Sequence, residues 1–139
     1  AIDASGDTPG SIRTLGQAVA LARSELGVEF VDIDPAMFAV ENAAEPGIVV
    51  SDHAIMQYTF PLEGGTGTLI YIKKALMQDS ATPADLITYQ QARPVFPYDS
   101  TGDQFYDVEQ FEAYRALGAS VTRRALAAKP AEARSSVEN

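Results

Sequence analysis

Cysteine and tryptophan are absent from the chain, and a single histidine occurs among its 139 residues. The lack of cysteine excludes disulfide bonds, thiolate metal sites and a cysteine nucleophile. A histidine-based zinc site is not expected either, because zinc sites draw on several His or Cys ligands. The composition therefore predicts no metal ion and no cofactor.

Long apolar segments are also absent. No run approaches the roughly 18 to 20 apolar residues that a membrane-spanning helix requires. A hydrophobic content of 46% and a charged content of 21% are typical of a globular domain with its own core. We expect one folded unit over residues 1–127 and a small, polar, disordered tail over residues 128–139.

Basic residues are scarce in the body of the chain. Residues 1–118 hold six basic and seventeen acidic side chains, a net charge of −11, whereas residues 119–139 hold four basic and two acidic ones, a net charge of +2. An acidic body repels phosphate backbones, so no nucleic-acid partner is expected. The basic end could contact an anionic lipid surface, although a solubilising role is the favoured interpretation. Its four cations are Arg123, Arg124, Lys129 and Arg134.

The first third of the chain predicts a strand, a helix and a second strand. Thr8 and Pro9 form a helix opening, apolar residues recur at three- and four-residue steps, and Gly27 supplies the stop. Residues 28–33 alternate as a strand does, and residues 2–7 fit the last residues of an earlier strand that runs into a loop. This order is a βαβ-type start, which predicts parallel strands.

A β-hairpin is predicted after a connection over residues 34–50 that includes one helical turn. Residues 52–62 and 66–76 have strand patterns and are joined by a Gly-rich link. The link is not expected to bind phosphate, because a strand follows it and not a helix N-terminus. The predicted fold class is therefore α/β, with a partial sheet.

Two further helices are predicted after the hairpin. The first opens at Thr82 and Pro83 and ends at Arg93, which precedes a proline. The second opens at Asp107, with Gln110 in a capping-box-like position. Its predicted apolar face comprises Val108, Phe111, Tyr114, Leu117 and Val121.

No catalytic nucleophile is evident. None of the nine serines has the flanking glycines of the G-x-S-x-G elbow that presents the nucleophile in many hydrolases. His53, the single histidine, is expected to be a packed or surface residue and not a catalytic base.

Two groups of acidic residues could either bind a cation or have a structural or solvated role. Asp3, Ser5 and Asp7 have the spacing that opens a calcium loop, but the closing Glu is missing. Asp32 and Asp34 share one face of a strand and could hold a hard cation. Structural or solvated carboxylates are the favoured interpretation in both places.

The loop over residues 94–107 is the densest in prolines, aromatic residues and polar residues. Two interpretations of it stay open. It is either a connector tied down by its own prolines and aromatic anchors, or a loop that lines the mouth of a pocket in a larger enzyme. Residue types alone favour the connector.

Several strings of the sequence carry a family pattern. GTLIYIKKAL, followed by PADLITYQQARPVFPYDSTGDQFYDVEQFEAYRALG, is similar to G-T-L-x-Y-x-K-P-S-L, P-A-D-V-x-x-Y and H-P-x-F-P-H-E-S-T-A-D-Q-F-F-D-E-x-Q-F-E-S-Y-R-x-L-G. AIDASGD is similar to C-D-A-G-A-D. Over residues 1–118 the chain thus resembles the C-terminal end of bacterial patatin-like phospholipases.

The resemblance implies the C-terminal portion of a patatin-like lipase fold, in which a Ser–Asp dyad hydrolyses lipid acyl esters. In that family the serine elbow and the D-G-G motif precede the matched segment, so no catalytic residue is carried over. The expected partner is the upstream part of the same polypeptide or a companion chain, and a lipid or acyl ester is the expected substrate of the complete protein. The protein would then be cytoplasmic, or membrane-associated through the upstream part. The alternative is a non-catalytic binding or regulatory module that docks a partner through residues 96–105.

The resemblance also assigns candidate structural or pocket-lining residues. They are Lys73, Ser100, Thr101, Asp103, Gln104 and Arg115. Other matching positions are Phe96, Pro97, Phe105, Gln110, Phe111, Tyr114, Leu117 and Gly118. The chain departs from the family at Lys74, where the family has proline, and at Tyr98 and Asp99, where it has His-Glu. A binding role of that pair is therefore not carried over.

Overall fold

The computed structural model describes residues 1–5, 7–31, 33–42, 47–62, 64–100, 102 and 105–128, and within them a four-stranded mixed sheet carries three α-helices. The strands are β1 (Ile2–Asp3), β2 (Glu29–Val31), β3 (His53–Phe60) and β4 (Gly65–Lys73). The helices are α1 (Arg13–Leu26), α2 (Ala84–Ala92) and α3 (Val108–Ala127). The predicted α/β class is confirmed at this level. The predicted tail beyond Ala128 lies outside the described residues.

The sheet is mixed and not parallel. Its order is β1-β4-β3-β2, with β1 and β4 parallel and the other two pairs antiparallel. β1 and β2 therefore run in the same direction across the α1 crossover, but β4 and β3 lie between them. The expectation that the first two strands are parallel is correct for their direction. It is wrong for their pairing, because β1 and β2 are not neighbours and the hairpin lies between them at the centre of the sheet.

The hairpin forms where the sequence predicts it. Phe60 pairs with Gly65, and Gly64 in the turn has a φ of 73°, a left-handed conformation that glycine adopts without strain. Gly67 is required for a different reason. A Cβ on Gly67 would lie 2.4 Å from the ring of Tyr58 across the hairpin, so any side chain there would displace the ring. Glu63 of the predicted link lies outside the described residues.

The start of α1 differs from its prediction. Thr8 and Pro9 belong to a turn, in which Ser11 N–H donates to the Thr8 carbonyl at 3.0 Å, and the helix begins only at Arg13. Gly10, with a φ of 75°, cannot be part of a right-handed helix. The predicted stop is confirmed, because Gly27 is the C-cap with a φ of 63°.

The other helix ends follow local chemistry in most cases. Asp107 caps α3 by accepting from Gln110 N–H at 2.7 Å, as predicted, and α2 ends before Arg93. Thr82 does not cap α2. Its hydroxyl donates to the Met77 carbonyl at 2.8 Å, which ties the preceding loop together.

The connection between β2 and β3 contains the predicted helical turn, a 3₁₀ helix over Pro35–Phe38. Asp34 caps it by accepting from Ala36 N–H at 2.9 Å, so this carboxylate has a structural role. Phe38 at the end of the turn is buried in the core. Asp32, the neighbour considered as a cation ligand, lies outside the described residues.

The buried face of α3 agrees with the predicted one only in part, because Tyr114 packs against the core as expected but the first turn of the helix is exposed. Val108 is 81% exposed and Phe111 is 56% exposed, whereas Leu117 and Val121 are buried as expected. The buried positions of the helix are Gln110, Ala113, Leu117, Ser120, Val121 and Ala125. Small residues at three of these positions let α3 approach its neighbours closely, and this packing outweighs the larger apolar side chains on the other face.

Two apolar clusters cover the two faces of the sheet. The first joins α2 and α3 to one face and consists of Ile48, Leu76, Leu86, Tyr89, Phe96, Ala113, Leu117 and Val121. The second lies under α1 and consists of Leu15, Phe38, Ala54, Met56 and Tyr71. Adjacent residues of a strand point to opposite faces, so the end of β4 contributes Tyr71 to one cluster and borders the other through Ile72.

Because Leu117 is buried on α3 and Val108 is exposed, substitutions at these two positions should differ in their effect on stability. Leu117→Ala should lower the free energy of unfolding by about 2 to 5 kcal/mol, because it empties a buried position. Val108→Ala should change it by less than about 0.5 kcal/mol, because the side chain is solvated. Urea unfolding followed by circular dichroism measures both variants. Equal losses would contradict the packing described here.

Candidate functional site

A polar cluster lies where the parallel strands β1 and β4 end together. Asp3 and Lys73 are register partners at this end, and Tyr71 precedes Lys73 on the same face of β4. The loop from β1 to α1 closes over these side chains. The cluster therefore joins the start of the chain to the hairpin.

Asp3 is held as a carboxylate. Its Oδ1 accepts from Ser5 N–H at 2.9 Å and its Oδ2 accepts from the Tyr71 hydroxyl at 2.5 Å. Burial acts to raise the pKa of Asp3, but the hydrogen bonds from Tyr71 and Ser5 outweigh burial, so the pKa lies below its usual value. Burial and the Asp3 carboxylate raise the pKa of Tyr71, which therefore stays protonated.

Lys73 is buried and anchors the loop. Its side chain is 2% exposed, and its Nζ donates to the Ser11 carbonyl at 2.5 Å and lies 3.9 Å from Asp7 Oδ2. The same oxygen of Asp7 accepts from Thr14 N–H at 3.1 Å. A buried ammonium requires such partners, so Lys73 fixes the loop and the first turn of α1 to the end of β4.

The loop over residues 94–107 is anchored by Phe96, whereas Phe105, the second expected anchor, is exposed. Phe96 is fully buried, and its ring centroid lies 5.0 Å from that of Tyr89 on α2 and 5.0 Å from that of Tyr114 on α3. The Phe96–Pro97 bond is cis. Among the described residues, the loop thus behaves as a tied connector between α2 and α3.

The other candidate residues are placed apart from Lys73. Ser100 is exposed and its Oγ accepts from Gly102 N–H at 3.1 Å. Arg115 is exposed and forms an ion pair with Glu112 at 2.7 Å on the surface of α3. Lys73 points to the α1 face of the sheet, so the structure does not bring it together with Ser100 or Arg115. Thr101, Asp103 and Gln104 lie outside the described residues.

Two of the three positions at which the chain departs from the patatin-like pattern, Lys74 and Asp99, meet at Tyr114. Lys74 Nζ lies 5.7 Å from the centre of the Tyr114 ring, and the Tyr114 hydroxyl donates to Asp99 Oδ2 at 2.5 Å. Burial lowers the pKa of Lys74, and the nearby Asp99 charge offsets part of this effect. Lys74 and Asp99 therefore form one unit with Tyr114 on the α3 side of the sheet.

Tyr98, the third position at which the chain differs from the patatin-like pattern, has a different environment. Its hydroxyl is buried, and no hydrogen-bond partner is found for it among the residues that the structure describes. Burial raises the pKa of Tyr98 to about 12, so the phenol is neutral at physiological pH.

A buried ion pair joins α3 to the start of β3. Asp52 is fully buried, and its Oδ2 accepts from both Nε (2.9 Å) and Nη2 of Arg124. Its Oδ1 lies 2.8 Å from Nδ1 of His53, whose side chain is 16% exposed. The expectation of a solvated Arg124 in the basic end is wrong, because its side chain is only 10% exposed. Asp52 and Arg124 are 72 positions apart in the sequence, so no local sequence pattern predicts this ion pair.

Two apolar grooves flank β1, one on each face of the sheet. The α1-side groove has a volume of about 370 Å³, and Leu15 and Leu69 are among its lining residues. The α3-side groove has a volume of about 300 Å³, and Leu117 and Val121 are among its lining residues. Both are open depressions beside the end of the sheet.

The described part of the chain has neither a candidate membrane-spanning helix nor a candidate metal site. None of its helices combines the length and the apolar character that a bilayer crossing requires. No group of three or more His, Asp or Glu side chains in it is arranged to hold a metal ion.

The chain has no match among known families: no protein-family model, no curated protein and no solved structure matches it. The fold is therefore a mixed α/β arrangement without an assigned family.

The buried pair predicts a large difference between two arginines of α3. Arg124→Met should lower the free energy of unfolding by about 3 kcal/mol or more, because it leaves the Asp52 carboxylate buried and unpaired. Arg115→Met, the matched control, should cost less than about 1 kcal/mol, because its ion pair is exposed. Urea unfolding of both variants at pH 7 measures the difference. Similar small losses would show that Asp52 reaches water without Arg124.

The lowered pKa of Asp3 predicts a pH dependence. Tyr71→Phe should lower the free energy of unfolding at pH 7, because it removes a donor to the carboxylate. The pKa of Asp3 lies below the ordinary value of 3.8 in the folded protein, so its stabilisation is present above that value and is lost as the pH falls toward the lowered pKa. The difference in the free energy of unfolding between the Tyr71→Phe variant and the wild type should therefore become smaller below about pH 4.

Urea unfolding at pH 7 and pH 3 measures this difference. Tyr58→Phe on β3 is the matched control, and it should show a small loss that does not change with pH. If Tyr71→Phe lowers the free energy of unfolding by the same amount at both pH values, the result would contradict the role of Asp3.

Proposed function

We propose that the chain is the C-terminal part of a patatin-like lipid acyl hydrolase, in which a serine and an aspartate outside this chain cleave the ester bond. The observation that carries the proposal is the parallel pairing of β1 with β4. It places Asp3 of AIDASGD opposite Lys73 of GTLIYIK, two strings that resemble the family pattern and come from distant parts of the sequence.

A second contact of the same kind supports the proposal. Phe96 in the FPYDSTGDQF string packs against Tyr114 in the QFEAYR string, with 5.0 Å between the ring centroids. The matching segments thus form a connected part of the fold, as expected if the resemblance reflects a shared architecture.

The position of the polar cluster fits a supporting role in such an enzyme. Open α/β sheets bind ligands outside the carboxyl ends of their strands, and Asp3 and Lys73 lie at these ends of β1 and β4. Their hydrogen bonds leave neither side chain free to act as a nucleophile. They would hold the β1–α1 loop rigid beside a catalytic site that another segment completes.

One observation favours a second candidate, a non-catalytic module that docks a partner through residues 96–105. Phe105 is 94% exposed, and Val108 and Phe111 on the adjoining turn of α3 are also exposed. Solvated aromatic and aliphatic side chains in one region are typical of an interaction surface.

Ester hydrolysis by the longer polypeptide tests the first candidate. The 139-residue chain should not hydrolyse p-nitrophenyl butyrate, because it has no nucleophile elbow. The polypeptide that also carries the segment encoded upstream should hydrolyse it. Replacing the elbow serine of that segment by alanine should reduce the rate by about three orders of magnitude or more.

Two outcomes would contradict the hydrolase. One is an upstream segment that contains no serine elbow, and the other is a rate that the serine replacement leaves unchanged. Either result would favour the docking module.

A further inference from the structure

Lys74 directly follows β4 and differs from Lys73 in the partners of its amine. Lys73 Nζ donates to the Ser11 carbonyl at 2.5 Å. For Lys74 Nζ, no hydrogen bond or ion pair is found within the part of the chain that the structure describes, and the amine lies 5.7 Å from the centre of the Tyr114 ring. The Asp99 carboxylate, whose charge acts on Lys74, accepts from the Tyr114 hydroxyl at 2.5 Å. The Lys74 amine is therefore available for a bond to a ligand.

The surroundings of Lys74 favour the neutral form of its amine. Burial has the largest effect and lowers the pKa of Lys74, and the positive charge of Lys73 lowers it further. The carboxylates of Asp99 and Asp3 raise the pKa and offset part of this effect. A lysine that is desolvated and lies beside a second cation is the kind that attacks carbonyl carbon, because the neutral amine carries the free electron pair.

The side chain of Lys74 lines the α3-side groove, which has a volume of about 300 Å³. Ile72 of β4 and Leu117 and Val121 of α3 supply apolar walls. Lys73 Nζ lies on the other face of the sheet, so Lys74 supplies the amine of this groove. A volume of this size lies at the lower end for small-molecule sites, which combine apolar walls with a few polar groups. The groove therefore fits a small apolar ligand that reacts with an amine.

We propose that Lys74 binds a small apolar aldehyde in the α3-side groove as a Schiff base. The amine nitrogen attacks the carbonyl carbon, and the π electrons of the C=O bond move to the oxygen. One proton passes from nitrogen to oxygen to give a carbinolamine. The nitrogen lone pair then forms the C=N bond, and the oxygen leaves with the second nitrogen proton as water. No oxidant or reductant is required, because the reaction is a condensation.

A negatively charged ligand fits the groove less well than an aldehyde. The carboxylates of Asp99 and Asp3 act on Lys74 and would repel an anion at the same place. An aldehyde is uncharged, and its alkyl chain or ring loses contact with water against the apolar walls. Lys74 stands where the patatin-like pattern has proline, so this activity lies beyond the proposed ester hydrolysis and does not depend on it.

Reductive trapping with hexanal tests the proposal. The 139-residue chain is incubated at pH 7 with hexanal and sodium cyanoborohydride, which adds hydride to the imine carbon and fixes the adduct as a secondary amine. Peptide mass spectrometry then measures the adduct at Lys74 and at Lys129, the reference in the same sample. The ratio of Lys74 adduct to Lys129 adduct should be about tenfold or more higher in the folded chain than in concentrated guanidinium chloride, because the lowered pKa of Lys74 exists only in the folded chain.

Two glycine positions provide a matched pair of variants that test the groove. Gly118 of α3 lines the α3-side groove and Gly16 of α1 does not, and both have open space around an added Cβ among the described residues. Gly118→Leu should fill the groove and slow formation of the Lys74 adduct by about tenfold or more, whereas Gly16→Leu should leave it unchanged. Leucine has a higher helix propensity than glycine, so neither variant is expected to unfold its helix.

The charge of Asp99 gives a test that a purely structural lysine would not pass. Asp99→Asn removes the charge that raises the pKa of Lys74, and it keeps an oxygen that can accept from the Tyr114 hydroxyl. The pKa of Lys74 should fall further, so more of the amine is neutral at pH 7. The Lys74 adduct should then form about two- to tenfold faster than in the wild type.

Three outcomes would overturn the proposal. The first is a ratio of Lys74 adduct to Lys129 adduct that is equal or lower in the folded chain, as expected if burial only shields the amine. The second is equal adduct formation in Gly118→Leu and Gly16→Leu, which would place the reaction outside the groove. The third is adduct formation that Asp99→Asn does not accelerate, which would show that the nearby charges do not control the amine.

Discussion

The arrangement of this fold depends on Asp52, which connects three elements through one residue. Its carbonyl accepts from Lys73 N–H at 2.9 Å beside β4, and its carboxylate pairs with Arg124 of α3 and contacts His53 at the start of β3. A carboxylate with no exposure requires these partners, since an unpaired buried charge costs several kcal/mol. Any alternative position of α3 would leave Asp52 Oδ2 without the guanidinium of Arg124. The pair therefore selects one packing of α3 more than it adds to total stability.

The end of β4, which is hydrogen-bonded to Asp52, makes contacts on both faces of the sheet. Lys73 points to the α1 face and holds the β1–α1 loop through Ser11, while Lys74 points to the α3 face and lies over Tyr114. Two adjacent lysines thus fix the layers on opposite sides of one strand. β1 is added to the sheet at the same place, so its short edge is rigid on the side that faces β4.

Elements specified by local chemistry could be predicted from the sequence, and those specified by tertiary contacts could not. The hairpin turn at Gly64, the stop at Gly27 and the cap at Asp107 each depend on residues within a few positions, and all three are confirmed. The face of α3 was predicted from the spacing of its apolar residues and is correct at Leu117 and Val121, but close helix packing at small residues such as Ala113 decides the remaining positions. The role of Arg124 depends on a partner in another element, which periodicity cannot identify.

The positions that match the patatin-like pattern have two kinds of environment, and these carry different information. Lys73, Phe96 and Leu117 are buried, so packing within this chain explains their identities and they do not indicate an activity. Phe105 and Phe111 match as well, yet they are 94% and 56% exposed. Solvated phenylalanines add little to the stability of this fold, because their surface stays in water.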